Sequence, residues 1–355
     1  MERNILVTGG AGYIGSHVVH ALCDSGVQVV VVDDLSRGNR ALLPDDVTFV
    51  EADICDEAAV EAVFSTCRPT AVMHLAARSL VPDSLQQPLE YYRVNVEGTR
   101  LLAAACKAHD VKSFIYSSTA SVYGAPETQP VAETTRKEPE NPYGASKLAG
   151  EWVLRDAYLA GGPACVTLRY FNAAGADPSG RCGQIGPASH LIKVAAQVVV
   201  GARDHLVIYG TDYPTPDKTC VRDYLHVSDI AAAHLDALAY LERGGAPDSL
   251  NLGYGRGFSV REILAVIDDL YPGALVVREG DRRPGDVPEL IAACERAGKV
   301  IGWTPAHADL VEIIRTAVEW ERGLQCPPRS RLTLTSKRFG LEWENGCPED
   351  ILCRA

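Results

Sequence analysis

A chain of 355 residues, 46% hydrophobic and 23% charged, has the length for one large or two modest globular domains and ample material for a core. Its formal net charge of −12, with no cluster of Lys and Arg standing out, argues against nucleic acid as a partner. No apolar run approaches the ~18 residues of a membrane span, and the N-terminal "MERNILVTGG" lacks the apolar core of a signal peptide.

In chain order, "NILVTG", "VQVVVVDD", "VTFVEAD", "AVMHLAA", "SFIYSS" and "CVTLRYFN" read as strands. They are rich in Val and Ile, and several are apolar on both sides, as in a sheet buried on both faces. Helix patterns separate them, among them "IGSHVVHALCDSG", closed by Gly26, and "VEGTRLLAAACKAHD". The alternation predicts an α/β fold: a doubly wound parallel sheet with right-handed crossovers over residues 1–172. Beyond residue 172, loops rich in Gly, Pro and Asp separate shorter elements, as expected of a smaller α/β substrate-binding lobe over 173–322. Within it "HVSDIAAAHLDALAYL" predicts a helix near 226–241 that returns to the first domain, with Ser228 as its N-cap. Residues 323–355 carry little periodicity and read as an extension of unknown role.

The eleven cysteines form no CxxC pair and no Cys/His ligand spacing, so no metal site is expected. Cys23, Cys106 and Cys165 sit singly in apolar segments, where a thiol behaves as a small buried hydrophobe. A disulfide framework does not suit a chain this long without a signal peptide, which points to a reduced, cytoplasmic protein.

"LVTGGAGYIGSH" lies between the first strand and the first helix. Gly9, Gly12 and Gly15 are spaced three apart, and Gly10, Gly12 and Gly15 satisfy G-x-G-x-x-G. Such glycines permit the tight turn and let backbone N–H groups approach a pyrophosphate at the helix N-terminus. A lone glycine pattern is weak evidence, but here a strand precedes it and a helix follows. Asp33 and Asp34 end the second strand, where an acid accepts hydrogen bonds from an adenosine ribose and repels a 2′-phosphate, favouring NAD over NADP. Asp53 and Ile54, after the third strand, stand either beside the adenine or, for Asp53, in solvent.

"NPYGASK" puts Tyr143 and Lys147 one turn apart on one helix face, with Pro142 suited to the helix start. An ammonium beside a phenol is expected to lower its pKa, so that the tyrosine exchanges protons near neutral pH. "YSSTASVYG" brings the hydroxyls of Ser117, Ser118 and Thr119 to the carboxyl edge of the sheet, where ligands of such folds bind. Hydroxyl, tyrosine and lysine beside a nicotinamide make a site for taking a proton from an alcohol as hydride leaves its carbon.

"TGGAGYIGSH", "PLEYYRVNVEGT", "SSTASVYG", "NPYGASK", "LRYFNAAGADPSG", "YGTDYPTPDKTCVRDYLHVSDIA" and "NLGYGRGFSV" together resemble the extended short-chain dehydrogenase/reductase family. Within it they look like the nucleotide-sugar 4-epimerases that interconvert UDP-glucose and UDP-galactose, in order from about residue 4 to about residue 320. The resemblance implies NAD-dependent oxidation at C4, turning of the 4-keto sugar about its diphosphate tether, and re-reduction on the opposite face. Thr119, Tyr143 and Lys147 would do the proton work, with Thr119 and Tyr143 also touching the sugar and Tyr143 and Lys147 the cofactor. It adds Tyr13, Ile14, Ala76, Asn95, Ser117 and Tyr170 to the cofactor side. On the substrate side it adds Phe171, Asn172, His190 and Leu191, Arg222 and Arg283 for the diphosphate, Asp286 for the uridine ribose, and Leu290 as the residue gating sugar size. A leucine there suggests a plain hexose over an N-acetyl sugar.

Two positions depart from the pattern: Ser79 stands where many members have a lysine, with Arg78 beside it, and His190 stands where asparagine is frequent. Ala120 and Ser121 follow Thr119, so the acid used by related 4,6-dehydratases is missing, and no cysteine stands in a motif suited to net dehydrogenation. The alternatives are a 4-epimerase of an N-acetylhexosamine, pentose or uronate, or a non-catalytic NAD-binding sensor. The resemblance also implies a homodimer, pairing the helix over 91–109 with the one starting near Tyr143; "LLAAACKA" offers small side chains for that bundle or for the chain's own sheet.

Overall fold

The six expected runs become β1 (Asn4–Thr8), β2 (Gln28–Asp33), β3 (Thr48–Glu51), β4 (Ala71–His74), β5 (Ser113–Thr119) and β6 (Ala164–Tyr170) of one parallel sheet. The computed structural model describes residues 3–186, 190–283 and 285–325. Side chains alternate between two apolar layers: Ile5, Val7, Val29, Val31 and Met73 face one, while Leu6, Val30, Val32, Val72 and Phe114 face the other. Both faces are dry, which is why the sequence runs are apolar throughout instead of alternating.

The first layer is closed by α1 (Tyr13–Asp24), α8 (Val227–Glu242) and α10 (Glu295–Ile301). The second is closed by α2 (Glu57–Cys67), α5 (Gly98–Ala108) and α6 (Pro142–Leu159). Gly26, at φ +71, ends α1 as expected. Two short helices, α3 (Val81–Gln86) and α4 (Pro88–Tyr92), precede a five-residue π-helical stretch, Arg93–Glu97, that feeds α5.

The remaining strands are β7 (Asn172–Ala174), β8 (Leu206–Tyr209), β9 (Val221–His226), β10 (Asp248–Leu252), β11 (Gly257–Ser259), β12 (Val277–Gly280) and β13 (Glu289–Leu290). The main sheet has seven strands in the order β10-β6-β5-β4-β1-β2-β3, all parallel. Its edge strand β10 has no counterpart among the runs read from sequence, because "DSLNL" has few apolar residues and carries Asn251, a residue depleted in strands. Asn251 is satisfied inside: its amide donates to the Val131 carbonyl at 2.8 Å and its oxygen accepts from Tyr123 Oη at 2.7 Å.

The smaller lobe is a sheet of β11, β9 and β13, with β7 beside β9, and a parallel pair β8–β12. A third apolar cluster joins α7 (Leu191–Val199), α9 (Val260–Leu270) and α11 (Leu310–Gln325). α11 takes in residues 323–325 of the expected extension; the rest lies outside the described residues.

One expectation needs correcting, and one open alternative is decided. α8 is capped by His226, not Ser228: the His226 ring accepts from the Ser228 N–H, because the extended residue preceding the helix is the one whose side chain can reach back to the second helical N–H. "LLAAACKA" faces its own sheet, with Leu102, Ala103, Ala105 and Cys106 in the core beneath β4 and β5.

Lys193 of α7 and Glu321 of α11 form an ion pair at 7% and 5% exposure, and Lys193 Nζ also donates to the Gln184 carbonyl at 2.6 Å. Trp320 Nε1 donates to the same carbonyl at 3.0 Å, so α11 holds the loop around Gln184. Lys193→Met leaves a buried carboxylate without its counter-charge and is expected to cost about 3–5 kcal/mol. Urea unfolding checks this, and adding Glu321→Leu should recover most of the loss.

Candidate active site

A cleft of about 760 Å³ opens at the carboxyl ends of the main strands, between the sheet and the smaller lobe. Its near wall is built by the loops after β1, β4, β5 and β6, as expected where parallel strands end and side chains can point into solvent.

The loop after β1 turns through Gly9, at φ +72, where a Cβ would lie 2.4 Å from the Ala76 nitrogen. At Gly15 a Cβ would fall 2.1 Å from the Gly9 carbonyl oxygen, so only glycine lets helix α1 start this close under the loop. Gly12 is the N-cap and offers no side chain to the first-turn N–H groups, which leaves them for an anion. Asp33 carries the loop from below, accepting from the Ala11 N–H at 3.0 Å and the Leu35 N–H at 2.9 Å. Burial pushes its carboxyl above the ordinary range against those two bonds. Asp34 is exposed and accepts from the Ser36 N–H and hydroxyl.

β5 ends in Ser117, Ser118 and Thr119, and α6 starts opposite at Pro142, capped by Asn141, whose side chain accepts from the Gly144 N–H at 2.9 Å. Tyr143 and Lys147 project from the first turns of α6 into the cleft beside Ser117 and Thr119. Lys147 is 1% exposed, its Nζ 4.2 Å from the centroid of the Tyr116 ring. Burial brings its ammonium down to about 7, with the Glu151 carboxylate opposing. Tyr143 is raised by burial, and the neighbouring Thr119 hydroxyl opposes that rise. The expected net lowering of the tyrosine beside Lys147 is therefore not found: desolvation disfavours both charged forms at once.

Of the residues read from sequence, Gly9, Gly12, Tyr13, Ile14, Gly15, Ser117, Thr119, Tyr143, Lys147 and Tyr170 line the cleft. So do Phe171, Asn172, His190, Leu191, Arg222, Arg283, Asp286 and Leu290. Six others do not. Asp33 and Asp34 stand at the tip of β2. Ala76 lies under the glycine turn, where its backbone meets Gly9. Ile54 is buried against Gly98, and Asp53 is neither free nor directed at the cleft: it pairs with Arg93 at 3.0 Å. Asn95 is 1% exposed and fully engaged, accepting from the Arg78 N–H at 2.8 Å and donating to the Arg78 carbonyl at 3.0 Å and Ser146 Oγ at 2.9 Å. It shapes the Arg78–Ser79 wall from behind.

The far wall is cationic. Arg283 stacks on Tyr209 with its guanidinium 3.8 Å from the ring centroid, and Arg222 lies 3.9 Å from Asp286. Arg222 does not pair with Asp223, which is buried and accepts from the N–H groups of Tyr254, Gly255 and Ala292 instead. Arg203, His205 and Tyr209 also line the cleft and were not singled out from sequence, although the short alternating run "LVIY" marks the strand that carries Tyr209.

Residues 5–253 match the model of the NAD dependent epimerase/dehydratase family. The chain belongs to that family. Among relatives of this epimerase/dehydratase, a UDP-glucose 4-epimerase of Azospirillum brasilense is 51% identical over 322 residues, covering 90% of this chain and 92% of its own. The structure of UDP-glucose 4-epimerase from Brucella ovis in complex with NAD superposes with a TM-score of 0.86 at 42% identity, covering 90% of this chain and 98% of that one. The UDP-Glc/GlcNAc 4-epimerase of Campylobacter jejuni does so at 0.78 and 41% identity, covering 90% and 99%. The residues of this member fit NAD: a glycine cradle that any Cβ at residue 15 would fill, uncapped N–H groups at α1, an acid at the tip of β2 and a buried lysine in the cleft.

Proposed function

We propose that this member of the family interconverts UDP-glucose and UDP-galactose by NAD-dependent oxidation at C4, turning of the 4-keto sugar, and re-reduction from the opposite face. The observation that carries the reading is the meeting of Thr119, Tyr143 and Lys147 in one cleft with the glycine cradle on one side and Arg222 and Arg283 on the other.

NAD in the cradle supplies the hydride acceptor and donor. The chain's own residues handle the proton and the tether. Tyr143 takes the C4 hydroxyl proton, with Thr119 hydrogen-bonded to the same oxygen, and Lys147 holds a positive charge behind the phenol that favours its ionised form. Both Tyr143 and Lys147 titrate in a dry site, so a further positive charge brought beside the phenol lowers it more than it would in water. Arg222 and Arg283 hold the diphosphate, a role suited to permanently charged, bidentate groups, and Asp286 accepts from the uridine ribose. Holding the nucleotide firmly and the sugar loosely lets remote binding energy position either face of C4.

Leu290, 8% exposed, lines the cleft, and a bulky leucine beside the sugar supports a plain hexose over an N-acetyl sugar. Protein purified without added NAD and given UDP-galactose is expected to form UDP-glucose, and to turn over UDP-N-acetylgalactosamine at least about tenfold less efficiently, the range in which steric pockets discriminate. Turnover of the N-acetyl sugar alone would discard the reading of Leu290 and keep the chemistry. No turnover of either, with NAD supplied, would favour a pentose, a uronate or a sensor role.

The same reading makes the protein a cytoplasmic homodimer. Leu89, Trp152 and Leu159, 82%, 51% and 76% exposed, lie on the neighbouring helices α4 and α6, and exposed apolar side chains there suit a partner copy. Sedimentation equilibrium tests it: a monomer at micromolar concentration would reject the pairing. The cysteines among the described residues are all unpaired, as a reducing compartment allows, and thiol titration of denatured protein should find no disulfide anywhere in the chain.

A further inference from the structure

One carboxylate stands behind the lysine of the site, and the proton chemistry above leaves it unused. Glu151 follows Lys147 by one turn of α6, as Lys147 follows Tyr143, so the three side chains share a helix face. Glu151 is 8% exposed, yet each of its oxygens is bonded. Oε1 accepts from Ser118 Oγ at 2.6 Å and from Arg169 Nε at 2.9 Å, and Oε2 accepts from Arg169 Nη2 at 2.6 Å. Ser118 lies between the cleft-lining Ser117 and Thr119 of β5, and Arg169 immediately precedes the cleft-lining Tyr170 of β6. Arg169 Nη1 continues to Tyr123 Oη at 2.8 Å, which donates to Asn251 of the edge strand β10 at 2.7 Å. A single carboxylate thus ties α6 to the carboxyl ends of β5 and β6, and through Tyr123 to β10.

We infer that Glu151 is a positioning residue for the reaction: it holds α6 in register with Thr119 and keeps a negative charge one turn behind Lys147 that favours the ammonium form of the lysine. The inference rests on the epimerase reading. The groups around Lys147 are Tyr143 and Glu151 one turn to either side on its own helix, the Tyr116 ring from β5 and His74 from β4. His74 is held far below its ordinary range by burial and by Lys147 itself, and Tyr116 is held far above by burial and by Glu151, so both are neutral near pH 7. Glu151 supplies the countercharge, with Arg169 as its structural partner. An arrangement that served stability alone needs no charge at this place, because a buried ion pair is often matched or bettered by apolar residues of similar volume.

The sign of the pH effect follows. Lys147 titrates at about 7, lowered by burial and supported by Glu151. Its ammonium is present below that pH and lost above it, so activity that needs the ammonium falls on the alkaline side. Removing the charge of Glu151 lowers the lysine further and moves that limb to lower pH. For charges ~6 Å apart at an effective dielectric near 20, the move is about one to two pH units, and kcat on the alkaline side falls about 10- to 100-fold.

The test titrates NAD-loaded protein carrying [ε-13C]lysine by NMR, with Lys147→Met assigning the signal, alongside kcat and KM against pH. Glu151→Gln keeps the shape and is expected to move both the lysine titration and the alkaline limb down, with KM little changed. Glu151→Asp keeps the charge and should leave the lysine titration within about half a unit of the original. A Glu151→Gln protein that unfolds more easily but titrates and responds to pH as before overturns the inference. If Glu151→Gln does not fold, Glu151→Gln with Arg169→Met leaves no unpaired buried charge, and a downward move, smaller because the opposing Arg169 cation is gone too, is required of it. Should the unaltered protein turn over no UDP-hexose, the epimerase reading fails, while the lysine titration still decides what Glu151 does to Lys147.

Discussion

Tyr143→Phe is expected to lower kcat by about 10³-fold, within the range that a positioned acid–base group contributes, while the purified protein keeps its NAD and its unfolding midpoint. The tyrosine ring is packed, edge to face with Tyr91 at 6.4 Å between centroids, and phenylalanine preserves that contact. What is lost is the hydroxyl, which stands in the cleft beside Thr119 and has no part in the helix cap, since Asn141 closes that turn with its own side chain. The loss therefore falls on proton transfer and not on the fold. KM should change little, because the diphosphate grip lies on the opposite wall. A Tyr143→Phe protein with full turnover and bound NAD would remove Tyr143 from the chemistry and leave the proton to Thr119 alone. Loss of NAD together with activity would instead give Tyr143 a share in holding the cofactor.

How much of this was legible follows from which signals are local. The parallel sheet was readable because each buried strand is a short apolar run whose two faces are both covered, as the split of Val29 and Val31 from Val30 and Val32 shows. The glycine cradle was readable because its demands are backbone demands met by consecutive residues. β10 escaped notice because its place depends on Asn251 finding Val131 and Tyr123, partners more than 100 residues away. Asn95 was placed near the cofactor on resemblance and Asp53 on its position after the third strand, yet one is consumed by Arg78 and Ser146 and the other by Arg93. Spacing tells that two residues share a helix face; it does not tell how dry that face is. That is why the Tyr143–Lys147 pair was found and its electrostatics misjudged. Glu151, on the same face, had no chemistry visible in the sequence until Arg169 and Ser118 were brought to it.

Gly15→Ala should give a folded protein that carries no NAD and shows no turnover until NAD is supplied far above the level the unaltered protein needs, with affinity lowered about 100-fold or more. The added Cβ would lie 2.1 Å from the Gly9 carbonyl oxygen, 2.8 Å from Gly10 Cα and 2.9 Å from the Gly9 carbonyl carbon. All three are backbone atoms, so no side chain can swing aside, and the turn must lift off α1. The sheet below survives such a local strain at a cost of about 1–3 kcal/mol. The N–H groups at the start of α1, however, lose the convergent arrangement an anion needs, and binding falls far more than stability does. Gly26→Ala is the matched control: φ there is +71 and a Cβ would meet nothing within 4 Å, so it carries backbone strain without touching the cradle. Acid release and assay of the bound cofactor, with a thermal melt of each variant, separates the two effects. Stoichiometric NAD in Gly15→Ala would mean that the pyrophosphate is held elsewhere in the cleft. NAD lost equally from Gly26→Ala would reduce the effect to general destabilisation of α1.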